Sequence, residues 1–343
     1  MKIKKIYKLC LLLVAVAFSS CENQDIDFPD FDYQTVYFAS QYYVRTIQLG
    51  DDMTTDLTLD NQHKMSIMAT MGGTRSNNTN RVIDFKVDES LCDNLYFDQG
   101  GKKIIPMPSN YYKLASNQII IPSGQERGGV EVQLTDAFFE DPKSLENTYA
   151  IPLIMTSAND SILQGKPAVS NPDLHIASDW VERPKNYVIR VVKYVNPWHG
   201  VYLRRGVDVI TQNDGTKSTS VRHKQYVESD EVVEIYTNSL VKNTLPLTIK
   251  DDGGNTVTFN LPLTFAEDGT CAINHSSSDF DISGSGKFVS KGEKQSMGGK
   301  DRDALYLEYS VNFKNLNLKY DTKDTLVVRD RGVGPEYFDV VKK

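Results

Sequence analysis

The chain has 343 residues, which at about 150 residues per domain predicts two domains. Its 40% hydrophobic and 24% charged residues are ordinary for a globular protein and argue against wholesale disorder. A negative mean hydropathy argues against a polytopic helical membrane protein, and a formal charge of −7 argues against a nucleic-acid partner, because phosphate binding needs a concentrated basic surface.

The first twenty residues do not belong with the rest. Lys2, Lys4, Lys5 and Lys8 precede ten uninterrupted apolar residues, 9–18. That run is too short to span a hydrocarbon core of about 30 Å. A basic stretch before a short apolar run has the form of a secretory signal. The run ends in Ser19-Ser20-Cys21. Small residues before a Cys at this place resemble the lipobox of bacterial lipoproteins, with Phe18 bulkier than the Leu usual there. The resemblance implies cleavage after residue 20 and acylation of Cys21, which anchors the chain in outer-membrane lipid at about 0.8 kcal/mol per buried CH₂. An ordinary signal peptide with an incidental Cys is the alternative. Loss of 1–20 removes four Lys and no acid, leaving 323 of the 343 residues and moving the formal charge from −7 to −11. Residues 21–33 then form an acidic tether with Glu22, Asp25, Asp27, Asp30 and Asp32 and no base. An acidic stretch behind a lipidated Cys resembles the surface-export signal of Bacteroidetes lipoproteins and implies display on the cell exterior. Of the four Cys, Cys92 and Cys271 remain; they make no zinc-site spacing and are expected as buried free thiols in separate domains.

From residue 34 the pattern is almost entirely β. Short strands are expected at 34–39, 46–49, 63–70, 82–87, 118–121, 130–134, 149–155 and 187–194, separated by turns such as Gly72-Gly73 and Pro122-Ser123-Gly124. About eight short strands in some 160 residues predict an antiparallel sandwich over 34–195. Helical turns are hinted at only in 89–94 and 136–146. Asn196-Pro197 then breaks the strand before Trp198. Beyond it, hairpin signals are dense: Asn213-Asp214-Gly215, Asp251-Asp252-Gly253-Gly254 and Glu267-Asp268-Gly269. The stretch 304–313 alternates strongly, sending Leu305, Leu307, Tyr309, Val311 and Phe313 to one face. Sequential hairpins predict an up-and-down barrel over 196–343, with the glycines at 283–286 placed at sharp bends of its wall.

Residues 111–155 contain a strand ending in a glycine turn, an alternating strand, an acidic stretch and the element Tyr149–Leu153. In that order they resemble the N-terminal immunoglobulin-like domain of Bacteroidetes surface lipoproteins. The run Pro197-Trp198-His199-Gly200-Val201-Tyr202, the GSGKF element at 284–288 and the closing KDTLVVRDRGV at 323–333 resemble a domain often joined to it, which is lipocalin-like. The fold class expected is therefore all-β, an immunoglobulin-like sandwich followed by a lipocalin-like antiparallel β-barrel. The resemblance implies a component of an outer-membrane glycan-utilisation system, working beside a TonB-dependent porin and capturing oligosaccharides or polysaccharides at the surface.

The chemistry in the sequence is sparse. It holds no GxSxG, HExxH, P-loop or dinucleotide fingerprint. The five His are scattered without i, i+4 pairing, so no metal site or cofactor is expected. Asp279 and Asp281 would need to sit about 5–9 Å apart across a cleft to act on a glycoside, and turn roles suit them better. Asp251–Asn255 reads as a hairpin turn before it reads as a Ca²⁺ loop. Sugar recognition needs flat apolar faces and polar handles. Trp180, in a polar stretch between strands, is a stacking candidate. Trp198 falls where such barrels use a structural Trp, with ligand contact as the alternative. Tyr202 and Arg204 share the face of Gly200, with Arg205 opposite, so Arg204 is a candidate hydroxyl or carboxylate binder. The reading is a non-catalytic, cell-surface, lipid-anchored glycan-binding protein. Its rivals are a glycoside hydrolase with an unrecognised site, a structural or adhesive protein binding a protein partner, and a small-molecule carrier.

Overall fold

The computed structural model describes residues 33–74, 76–97, 101–251 and 253–343. The expected leader, Cys21 and all of the acidic tether but Tyr33 lie outside the described residues. Within them the chain is all-β, a sandwich followed by a barrel.

One sheet of the sandwich orders Ser161–Ile162, Thr35–Tyr37, Lys64–Gly72, Arg127–Leu134 and Tyr112–Leu114. The other orders Glu336–Tyr337, Tyr42–Gln48, Tyr187–Val195, Tyr149–Ala158, Arg81–Val87 and Gln118–Ile121, with Ile105–Pro106 beside Tyr149–Ala158. Alternation sets the faces: Met65, Ile67, Ala69 and Met71 are buried while Ser66 and Met68 are exposed. They meet Ile83, Ile119, Ile151, Leu153 and Val192 between the sheets. The second sheet is covered on its far face as well, where Val44, Ala150, Tyr187, Ile189 and Val191 pack on Leu91, Leu95, Phe97 and Ile104. That double burial explains why 187–195 is nearly continuously apolar. The helical hints are short, as Glu89–Cys92, Asp136–Glu140 and Pro142–Leu145. Cys92 lies in the outer layer and Cys271 in the barrel, both free and buried, and burial pushes each thiol up to about 12.

Eight strands close the barrel in chain order: Gly200–Thr211, Glu231–Thr237, Lys242–Lys250, Thr256–Phe265, Thr270–Ser276, Phe280–Glu293, Arg302–Phe313 and Leu318–Asp330. The last returns to the first, from Val201↔Asp330 to Thr211↔Lys319. This is the up-and-down order of a closed barrel. Leu305, Leu307, Tyr309, Val311 and Phe313 all point inward, as their alternation requires. Trp198 stacks flat on Phe265, 4.1 Å between centroids at 7°, and fills the base. The strand glycines work differently from the expected bends. Gly284 sits inside Phe280–Glu293, where a Cβ would lie 2.5 Å from Tyr309 Cβ and 2.4 Å from the Glu308 carbonyl. Its missing side chain makes room for a neighbouring strand and the Tyr309 side chain.

The domain junction is clamped. Asn196 is fully buried, and its amide pairs reciprocally with that of Asn243 at 2.7 and 2.9 Å. Arg331, also buried, donates to the carbonyls of His199, Leu49, Asp51 and Asn196 at 2.8–3.1 Å. The chain then crosses back. Glu336–Tyr337 pairs with Tyr42–Gln48, and Val340–Lys342 pairs with Leu95–Phe97. These last strands, grouped by sequence with the barrel, are built into the sandwich, where Phe338 packs at 5.6 Å from Tyr42 and 5.2 Å from Phe97.

Burial, with the Arg331 guanidinium nearby, holds His199 down to about 4. That lies below the unfolded value of about 6.5, so the unfolded chain takes up the proton first and stability falls as pH drops from about 6.5 toward 4. At about 1.4 kcal/mol per pH unit, the loss expected through this group is about 2–3 kcal/mol. Denaturant midpoints measured from pH 7 to pH 4.5 should show it, and the profile of His199→Gln should be flatter. Equal slopes in parent and variant would contradict the assignment.

Candidate functional site

The barrel is half filled. Below, around Trp198, its bore is packed apolar; above lies a cavity of about 320 Å³. The opening follows from the strand pairing. Lys217–Arg222 pairs with Gly200–Thr211 over 206–211, taking the same edge that Glu231–Thr237 occupies further back. Lys242–Lys250 meets Glu231–Thr237 only at Tyr236↔Thr244 and Thr237↔Asn243. Among the described residues, Lys217–Arg222 and 246–250 therefore share no ladder bonds, and both border the cavity, through Ser220 and Arg222 on one side and Thr248, Ile249 and Lys250 on the other.

One wall of the cavity is polar and ionic. Asp324, whose carboxylate is fully buried, accepts from Arg204 Nε at 2.8 Å, Arg222 Nη2 at 2.7 Å and the Tyr309 hydroxyl at 3.0 Å. Asp208 accepts from Arg222 Nε at 2.6 Å and Nη2 at 2.9 Å and from the Thr322 hydroxyl at 2.8 Å. Arg204 also donates to Glu231 at 3.0 Å and to Tyr309 at 3.2 Å. Burial alone would raise the Asp208 carboxyl, but the hydrogen bonds and charge of Arg222 outweigh it and hold the group below the usual carboxylate range. Burial and the Asp324 charge raise Tyr309, so its phenol keeps its proton. The apolar side chains of Ile210, Ile249, Phe259 and Val311 also line the cavity.

A glycine lets this wall form. At Gly206 a Cβ would lie 2.2 Å from Asp324 Oδ1 and 2.3 Å from the Lys323 carbonyl. Gly206→Ala is therefore expected to displace the Asp324 carboxylate and cost about 1–3 kcal/mol as an overpacked site. Chemical denaturation checks it, and an unchanged midpoint would contradict the close approach.

Of the four residues singled out for ligand contact, Arg204 alone borders this cavity. Trp198 is buried against Phe265, and the Tyr202 hydroxyl, also buried, donates to the Trp198 carbonyl at 2.8 Å; both are structural here. Trp180 is half-buried on the sandwich side, its Nε1 donating to the Asp173 carbonyl at 2.7 Å. Asp208, Arg222, Tyr309, Thr322, Asp324 and Phe259 were missed as site residues. Their signal was polar side chains at inward positions of alternating strands, where a filled barrel would carry Val or Leu. The Asp251 turn is a hairpin tied by the Asp251 carboxylate to Asn255, and Asp281 is engaged by Ser276 and Lys314. Among the described residues, no three His, Cys, Asp or Glu side chains gather as metal ligands would.

A β-sandwich clamped to a half-filled β-barrel with an ionic cavity is thus the class of protein that the fold and site define. The chain is 56% identical to a Bacteroides ovatus protein of unknown function whose crystal structure is known; the match covers 91% of this chain and 100% of that one, with a TM-score of 0.86. The chain belongs to the same family as that protein. Residues 197–332 match the family described as Domain of unknown function (DUF5627), and residues 31–162 match a family described as an N-terminal domain. More distant likenesses include a Bacteroides ovatus multidomain protein including DUF1735, at 11% identity over 88% of this chain and 97% of that one with a TM-score of 0.41. A Bacteroides thetaiotaomicron auxiliary nutrient binding protein is similar at 14% identity over 83% of this chain and 90% of that one, with a TM-score of 0.37. No curated protein matches the chain.

Proposed function

We propose that the protein is a non-catalytic glycan-binding lipoprotein, anchored in the outer membrane through acylated Cys21, displayed on the cell exterior and working beside a TonB-dependent porin. The observation that carries the binding reading is the cavity: fixed hydrogen-bonding groups and apolar side chains, the Phe259 ring among them, line one space. A pyranose itself carries both kinds of surface, with hydroxyl edges and C–H faces. Arg222, which lines the cavity, keeps one buried nitrogen, Nη1, without an acceptor among the described residues, a donor that is costly to leave unmet.

The ionic wall suits binding better than hydrolysis. A glycosidase needs one carboxyl that keeps its proton near neutral pH. Asp208, a carboxyl lining the cavity, is held ionised by Arg222 and does not meet that need. The test is a panel of plant polysaccharides, mucin glycans and N-glycans presented to the purified protein. Binding without sugar release is expected, with at least a tenfold loss in Phe259→Ala. Silence across the whole panel contradicts the glycan reading, and sugar release contradicts the non-catalytic one. The anchor is tested by palmitate labelling of cells, which Cys21→Ala should abolish.

A further inference from the structure

Paired strands and packed side chains close the cavity on several sides. Its back wall is formed by Tyr309, Val311, Tyr320 and Thr322, on two strands that pair without a break from Ala304↔Val327 to Phe313↔Leu318. Toward the base, the Arg204–Asp324–Tyr309 network closes the bore above packed Tyr202, Leu305 and Leu326. Toward the other end, the rings of Phe259, Phe280, Phe313 and Tyr320 pack on one another, with centroids 5.4 Å apart for Phe259–Phe313, 6.0 Å for Phe280–Phe313 and 6.2 Å for Phe313–Tyr320. The open side is the gap between Lys217–Arg222 and 246–250. A volume of about 320 Å³ lies at the low end of the about 300–1,000 Å³ typical of small-molecule sites, room for one or two sugar rings. A polymer held through an internal unit needs a way in and a way out for the units on either side. The way in that the strand pairing leaves to this cavity is the gap.

We propose that the barrel captures the terminal unit of a glycan chain, inserted end-on through that gap, and does not hold internal units. The proposal rests on the glycan-binding reading above and narrows it. The terminal ring lies between the Arg222 wall and Phe259, and the rest of the chain leaves past Ser220 and Thr248 into solvent. The number of sites a glycan offers is then its number of chain ends. The reaction class that supplies the ligand is hydrolytic cleavage of glycosidic bonds, because each cut within a chain creates two new ends.

Calorimetric titration of the full chain tests this with arabinoxylan, galactan and mannan, each intact and after partial acid hydrolysis, at equal total sugar. Released N- and O-glycans are titrated before and after exoglycosidase trimming. Hydrolysis of a recognised polysaccharide is expected to raise binding per gram at least tenfold, in step with the number of ends, and trimming the terminal unit is expected to abolish binding of a recognised released glycan. Equal binding per sugar unit, or binding that survives trimming, overturns end capture and leaves the glycan reading standing. No heat with any member overturns both. Ser220→Trp and Ile249→Trp each set an indole at the gap from a different strand, and either one should weaken a short chain at least tenfold. Full affinity in both, with unchanged melting temperatures, overturns entry by this route.

Discussion

Replacing Arg331 with Met should lower stability by about 3–5 kcal/mol and loosen one domain from the other. The guanidinium is buried and makes five hydrogen bonds, all to backbone carbonyls, reaching Leu49 and Asp51 of the sandwich and Asn196 and His199 at the junction. A charged donor contributes about 1.5–3 kcal/mol per bond at most, and carbonyls left buried without a donor cost about 1–3 kcal/mol each; relaxation and water entry absorb part of the sum. Lys has one nitrogen where Arg has three, so Arg331→Lys should recover only part of the loss. Calorimetry should show a single transition in the parent and a broadened or split one in Arg331→Met. A loss under about 1 kcal/mol would mean that the returning strands at 336–342 hold the domains together without the clamp.

Asp324→Ala is expected to cost about 3–5 kcal/mol, because removing one partner of a buried ionic network leaves uncompensated charge behind. Here two guanidinium groups, Arg204 and Arg222, lose their shared carboxylate, and the Tyr309 hydroxyl loses its acceptor. The effect on binding should be as large, since Arg222 would no longer be fixed across the gap. Asp321 provides the contrast. It lies on the same strand with its side chain outward, paired with Lys319 in the solvent. Asp321→Ala should cost at most about 1 kcal/mol. Urea denaturation of the two variants side by side decides the matter, and comparable losses would show that the inward network has no special weight.

Much of the fold was legible because strand alternation encodes it. The run from Leu305 to Phe313 announced an inward face, and the up-and-down order of the barrel followed from hairpins spaced along the chain. The return of the C-terminus to the sandwich was not legible. The strands Glu336–Tyr337 and Val340–Lys342 are two and three residues long, and their pairing is fixed by tertiary contacts of Phe338, Lys342 and Glu336 rather than by local pattern. The candidate site was legible only at Arg204. Aromatic residues drew notice as sugar platforms, yet Trp198 and Tyr202 are spent on the barrel base. The charged wall is assembled from five strands whose partners lie 14 to 120 residues apart, which no local spacing reveals. Two of its elements sat inside stretches already singled out. The closing segment at 323–333 contains both Asp324, which holds the cavity's arginines, and Arg331 of the clamp, and the glycine element at 284–288 makes space for Tyr309.

The most direct test of the barrel cavity as the binding site is a crystal structure of the protein soaked with the shortest oligosaccharide that binds it. The expected result is one terminal ring between Arg222 and Phe259, with the next unit passing Ser220 and Thr248. A sugar found elsewhere, such as the cleft at the domain junction beside Asp51 and Arg302, with the barrel cavity empty, would contradict the assignment.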